Sequence, residues 1–284
     1  MRLNAAKRPR RKETDQKLSM VSRESSDNEG NRTRRTKISD GTVTDYTWDY
    51  RNRLTNVTER ATVGGAAVKS TDFVYDVNNR LVRKVHDPDG AGEQVATTEC
   101  FAYDGQQVLL RFDGPQLSDL ADRYLWGPAV DQFLSDEQLT SPTTPGTVYW
   151  ALTDHLNTVR DLALYDFGTD TTSVANHRVY DAYGNLTDET NAAVDCLFGY
   201  TGRQFDEATG LQNNLNRWYD PKVGRWLRED PIGFQGRDAN LYRYVGNSPT
   251  IHRDPFGVSD DDESLFYKFA VNFWGGRVAR PERQ

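Results

Sequence analysis

A loosely repeated unit constrains this chain more than any other feature. "YTWDYRNRLTNVTER" (46–60), "DFVYDVNNRLVRKVHD" (72–87), "CFAYDGQQVLLRFDG" (100–114) and "RVYDAYGNLTDET" (178–190) follow one plan. Aromatic or aliphatic residues alternate, then a Tyr-Asp or Asp-Tyr pair appears. A polar or Gly/Asn turn follows, and a Leu or Val opens the next alternating run. A period of two buries one face of a strand, and Asn and Gly tolerate the left-handed backbone of tight hairpin turns. Each unit is therefore expected to be a β-hairpin, with turns at "VNNR" and "AYGN". Phe73 and Tyr75 fall on one strand of such a hairpin, Leu81 and Arg83 on the next. Units of about 20–30 residues bury their faces against neighbours, so a stacked β array is expected.

Composition agrees. The 14 Tyr, 12 Phe and 6 Trp against 2 Met favour pleated, half-buried surfaces. Connectors such as "VGGAA" (63–67), "DPDGAGE" (87–93), "GPAVD" (127–131) and "SPTTPGT" (141–147) are loops by their Gly and Pro content. Short helices are expected only at 117–123 ("LSDLADR") and 262–274 ("DESLFYKFAVNFW"). The latter carries Phe266, Phe269, Phe273 and Trp274 on one apolar face suited to docking on the sheet. Later, "NLYRYV" (240–245) reads as a strand and "GNSPT" (246–250) as a turn.

Charge is uneven. Residues 1–37 hold twelve Lys/Arg against five Asp/Glu, while the whole chain is at −7. Residues 1–40 are expected to be a basic, disordered leader, because so polar a stretch buries too little apolar area to order itself. Nucleic-acid binding through that arm rests on charge alone and ranks low. No apolar signal segment follows Met1, and no run of about 18 apolar residues is present, so neither a signal peptide nor a membrane span is expected. Cys100 and Cys196 fit no paired motif, and the four histidines show no metal-ligand spacing. No P-loop, G-x-S-x-G or dinucleotide fingerprint occurs, so neither metal nor cofactor is expected.

Three Asp-Pro pairs close the chain, in "RWYDPKVGRWLREDPIGF" (217–234) and "HRDPFG" (252–257). Asp-Pro-x-Gly is a turn signature, since Asp accepts local backbone bonds and Pro fixes φ. Asp220 is expected to be turn punctuation only. Asp230 and Asp254 allow a second reading, as carboxylates brought together by a chain that doubles back. Two adjacent carboxylates share a proton, so one can act as base and the other as acid.

The repeats resemble the YD repeats of the Rhs family. "TDHLNTVRDL" (153–162), "VYDAYGNL" (179–186), "FGYTGRQFDEATGL" (198–211), "RWYDPKVGRWLREDPIGF", "DANLYRYVGNSP" (238–249) and "RDPFG" (253–257) follow its repeat-associated core domain in order. The resemblance implies an all-β fold, a curved antiparallel sheet forming part of a β-shell and ending in that core. It implies a YD-repeat region at 41–150, an Rhs core domain at 151–257 and a variable tail at 258–284. In toxin-bearing relatives the core is an aspartyl autoprotease. Carried over, the catalytic pair is Asp230 and Asp254, Arg217 supports them, and the scissile bond joins Val258 to Ser259. Val258 is smaller than the usual residue there, "LQNNLNRWYD" is unusually polar, and only 26 residues follow Val258. Such a tail is short for a toxin domain. The rival expectation is a non-enzymatic structural or cell-surface protein whose Asp-Pro motifs are turns. Either way the expected partner is a larger YD-repeat shell or another β-rich chain, and the resemblance points to a secreted or surface setting.

Overall fold

The computed structural model describes residues 22–90 and 92–258. Fourteen strands form one antiparallel sheet in which every strand pairs with its neighbours in sequence. The first four are β1 (Ser22–Ser26), β2 (Arg32–Lys37), β3 (Val43–Trp48) and β4 (Leu54–Arg60). The next five are β5 (Ala67–Tyr75), β6 (Leu81–Asp87), β7 (Thr97–Asp104), β8 (Gln107–Phe112) and β9 (Leu120–Trp126). β10 (Phe133–Gln138), β11 (Thr147–Thr153), β12 (Val159–Asp166), β13 (Thr171–Tyr180) and β14 (Leu186–Glu189) complete it. A second sheet of four strands follows: β15 (Gln204–Asp206), β16 (Leu211–Asn214), β17 (Arg217–Asp220) and β18 (Arg225–Trp226).

The repeat has a clear physical basis. At five hairpins an Asp carboxylate closes the turn by accepting two backbone N–H groups through one oxygen. Asp76 Oδ1 takes Asn78 at 2.8 Å and Arg80 at 3.0 Å. Asp27, Asp49, Asp154 and Asp181 do the same. The residue three places on adopts positive φ: Gly30, Asn52, Asn79, Asn157 and Gly184. Those residue types are the ones that enter this region at low cost.

Neighbouring hairpins are then laced together. The aromatic residue before the turn donates to a carbonyl one hairpin back: Tyr75 to Leu54 at 2.7 Å, Tyr103 to Leu81 at 2.8 Å and Trp126 to Val108 at 2.7 Å. Arg53 and Arg80 pair with their own turn Asp and lie over the next Tyr ring at 5.1 and 5.2 Å. The Tyr-Asp pair thus works as a hydrogen-bonded rung and a turn closure in adjacent positions.

One face of the large sheet packs on the small sheet and the segment leading to it. Phe73, Phe101, Tyr124, Phe133 and Leu162 meet Phe198, Leu211, Trp218 and Leu227 in one core. Burial of each such side chain contributes about 1.5–3 kcal/mol. The Phe73 and Trp218 rings lie 4.7 Å apart, and Trp218 Nε1 donates to the Tyr75 hydroxyl at 2.8 Å.

Several expectations need correction. Residues 22–37, read as part of a disordered leader, form β1 and β2; residues 1–21 lie outside the described residues. Ion pairing supplies what apolar burial does not: Arg34 binds Asp45, and Arg32 and Arg35 both bind the buried Asp220 at 2.9 Å. The helix expected at 117–123 is one 3-10 turn, Leu117–Asp119, running straight into β9. "NLYRYV" is no strand; it is turns with a single bridge, Arg225 to Arg243. Positions 150 and 151, where the two expected regions meet, both lie inside β11. The helix expected at 262–274 lies outside the described residues. Cys100 and Cys196 are both free thiols.

Candidate functional site

The site starts from a tight connection, Leu215–Asn216, between β16 and β17, with Leu215 at positive φ. The polar run "NNLN" has a structural use here. Asn214 Nδ2 donates to the Asp254 carbonyl at 2.7 Å, and Asn216 Nδ2 to the Phe256 carbonyl at 2.9 Å. These amides hold the "DPFG" backbone alongside the connection, 40 residues away in sequence. Gly257 completes the fit with φ +65°. A Cβ there would stand 2.8 Å from the Asn214 carbonyl and 2.9 Å from the Arg217 nitrogen.

Arg217, first residue of β17, projects into this junction with its side chain buried. Its Nη2 sits 2.9 Å from Asp230 Oδ2 and 3.0 Å from Asp254 Oδ2. Nε donates to the Gly257 carbonyl at 2.6 Å, and Nη1 to Leu241 at 3.3 Å. The guanidinium carbon lies over the Trp226 ring, 4.2 Å from its centroid. All three residues named from the family pattern therefore meet at one nitrogen.

The three Asp-Pro carboxylates divide their oxygens alike. Asp220 Oδ1 accepts from the Lys222 backbone and Oδ2 from Arg32 and Arg35. Asp230 Oδ1 accepts from Ile232 at 2.9 Å, and Asp254 Oδ1 from Val258 at 3.0 Å, leaving each Oδ2 to Arg217. Asp220, expected to be only a turn residue, is also a buried ion-pair hub. Asp254 is 2% exposed and Val258 fully buried, so the residue before the expected scissile bond is clamped to one carboxylate. Ser259 lies outside the described residues.

Burial pushes the Asp230 carboxyl above its usual range, against the opposing pull of Arg217. The half-buried Arg228, desolvated and repelled by Arg217, is lowered to about 10. A cavity of about 40 Å³ opens beside Arg217, Asp230 and Asp254, with room for a water molecule or two. Sequence reasoning missed Asn214 and Asn216, whose one visible signal was the surplus of Asn before Arg217, and read Gly257 only as the glycine of its Asp-Pro-x-Gly turn. His155, in "TDHLNTVRDL", is exposed and its Nε2 lies 3.1 Å from the Thr250 carbonyl. Among the described residues no three His, Cys, Asp or Glu side chains gather as a metal site.

The Teneurin YD-shell family profile matches residues 132–250. The chain belongs to the YD-shell, or Rhs, family. This YD-shell chain is 31% identical over 237 residues to the tRNA3(Ser)-specific nuclease WapA of Bacillus spizizenii, covering 81% of the chain and 9% of that protein. It is 28% identical over 228 residues to double-stranded DNA deaminase toxin A of Burkholderia cenocepacia, covering 75% of the chain and 15% of the deaminase. The chain thus spans a small fraction of the length of these relatives. The TcdB2-TccC3 crystal structure superposes with a TM-score of 0.60 at 20% identity, over 80% of the chain and 11% of that structure. The likeness is one of fold: a wall of YD-shell hairpins.

Proposed function

We propose that the chain closes one end of a larger YD-shell and cuts itself after Val258, with Asp230 and Asp254 as the acting carboxylates. The observation that carries the reading is the single Arg217 nitrogen shared by both carboxylates, beside a small cavity. Asp254, bonded to Arg217 and to the Val258 N–H, is the ionised member and takes a proton from water. Asp230, whose carboxyl burial pushes up, is assigned the acid's part in this reading, giving its proton towards the Val258 carbonyl. Water oxygen bonds to the Val258 carbonyl carbon, the bond to the Ser259 nitrogen breaks, and the leaving amine takes the proton. Arg217 orients both carboxylates and limits their repulsion. Two relatives named for different activities, a tRNA nuclease and a DNA deaminase, match this same kind of segment over small shares of their lengths. That supports reading it as shell rather than as effector. The partner is then the rest of a YD-repeat shell or another β-rich chain.

Intact mass of the purified chain tests the reading, alongside Asp230→Asn and Asp254→Asn with folding checked by circular dichroism. A parent cut after Val258 and two folded, uncut variants are expected. Because the triad assembles within this chain, an uncut parent overturns the cleavage. It would leave the non-enzymatic reading, in which Oδ1 of each Asp serves its turn and Oδ2 its ion pair.

A further inference from the structure

A second and much larger cavity, about 370 Å³, lies between the inner face of β6–β10 and the segment around 193–207. Its three basic side chains are already engaged. Lys84 is paired with Glu99 and Asp206, Arg178 with Asp195 at 2.7 Å, and Arg111 with Glu99, Asp113 and Asp122. Two buried groups lining it each keep an unpartnered atom. Asp136, 1% exposed, accepts from Gln138 Nε2 at 3.2 Å through Oδ2, while its Oδ1 has no hydrogen-bond partner, and no Lys or Arg ion pair reaches its carboxylate among the described residues. Tyr124, 3% exposed, has an unpartnered hydroxyl. They sit directly opposite each other across β9 and β10. Asp122, two residues before Tyr124, stands diagonally beside Asp136 on the same face. An unpartnered carboxylate oxygen and an unpartnered hydroxyl in one buried place are costly unless something fills them.

The occupant is narrowed by chemistry. The space is far roomier than one water or bare ion needs, and the described residues gather no metal ligand set here. Leu139, Leu197 and Phe205 supply apolar wall beside the acids. We propose that this cavity binds an alkylammonium group, its charged head on Asp136 and Tyr124 and its stem against Leu139, Leu197 and Phe205. The head could be carried by a free polyamine or by a lysine side chain of a polypeptide. Its competitor is the proton. Burial first, and the neighbouring Asp122 second, hold the Asp136 carboxyl up at about 8. The other charged or titratable groups lining the cavity are Lys84, Glu99, Arg111, Asp113, Tyr124, Arg178, Tyr180, Asp195, Cys196, Tyr200 and Glu207. Binding of the ammonium therefore displaces a proton and strengthens as pH rises towards that titration.

Calorimetry on the full chain tests this, with 1,5-diaminopentane, Nα-acetyl-lysine methylamide and neutral 1-pentanol as probes. Saturable binding of one or both amines is expected, about tenfold tighter or more at about pH 8 than at about pH 6. Tyr124→Phe should weaken it, and Asp136→Asn should abolish both binding and its pH dependence while circular dichroism stays unchanged. Binding of the diamine alone marks a free polyamine site; binding of the lysine amide alone marks a polypeptide site. No heat with either amine, equal binding of 1-pentanol, or undiminished binding by folded Asp136→Asn overturns the proposal.

Discussion

Arg217 spends its whole guanidinium on the junction: two carboxylates, two backbone carbonyls and one indole face. Arg217→Met leaves two buried carboxylates without their cation, so the urea midpoint should drop by the equivalent of about 3–5 kcal/mol. Gly257→Ala should act on the same junction through the backbone. Positive φ alone costs about 1–2 kcal/mol, and the Asn214 carbonyl must also retreat. At Asp136 the sign runs the other way from an ordinary ion pair. Its folded pKa is raised to about 8, so between about pH 4 and 8 the folded state binds more protons than the unfolded. Stability should fall as pH rises through that window, and a thermal-melt series with Asp136→Asn should flatten the slope. The two clusters were not equally visible in the sequence. Family motifs point to Arg217, Asp230 and Asp254, although 37 residues separate the first from the last. Asp122 and Asp136 lie in no motif, and only the register of β9 on β10 brings them together.

Hairpin turns are where the elements are decided. Asn79 holds positive φ and donates its amide to Asn216 Oδ1 at 3.2 Å, joining the β5–β6 hairpin to the β16–β17 connection. Asn79→Gly keeps the backbone and loses the amide; Asn79→Ala loses both. Chemical denaturation should therefore rank wild type above the Gly variant and the Gly variant above Ala, with about 1–2 kcal/mol between the last two. These turns were legible because Asn and Gly announce them and the flanking period of two confirms the strands. β9 was not, since its inward positions are Asp122 and Tyr124, and a polar residue on the buried face hides the alternation. β1 and β2 were hidden similarly, with arginines neutralised by distant acids in place of an apolar face. "SDNEG" nonetheless repeats the Asp-x-x-Gly turn, a local signal that the basic composition masked. "NLYRYV" fails as a strand because Asp238 takes the Arg243 side chain and Asn240 caps the Tyr242 N–H, bending the segment.

Across the molecule, the small sheet acts as a spine to which successive hairpins are pinned: Arg32 and Arg35 by Asp220, Tyr75 by Trp218, Lys84 by Asp206, Asp131 by Arg203. β1 has the least cover, with four of its five residues exposed, and should show the fastest amide exchange in the large sheet. Asp220→Asn should unpin β2 and speed exchange in β1 and β2 by about tenfold or more, while β9–β13 stay protected. The strictly sequential pairing of the fourteen strands has an evolutionary corollary. In a sheet where strand neighbours are also chain neighbours, one whole hairpin can be duplicated or lost without rethreading any other. Unequal recombination between Tyr-Asp units would then lengthen or shorten the wall like courses of brick, and selection would act on each new course through the contacts that key it to the spine.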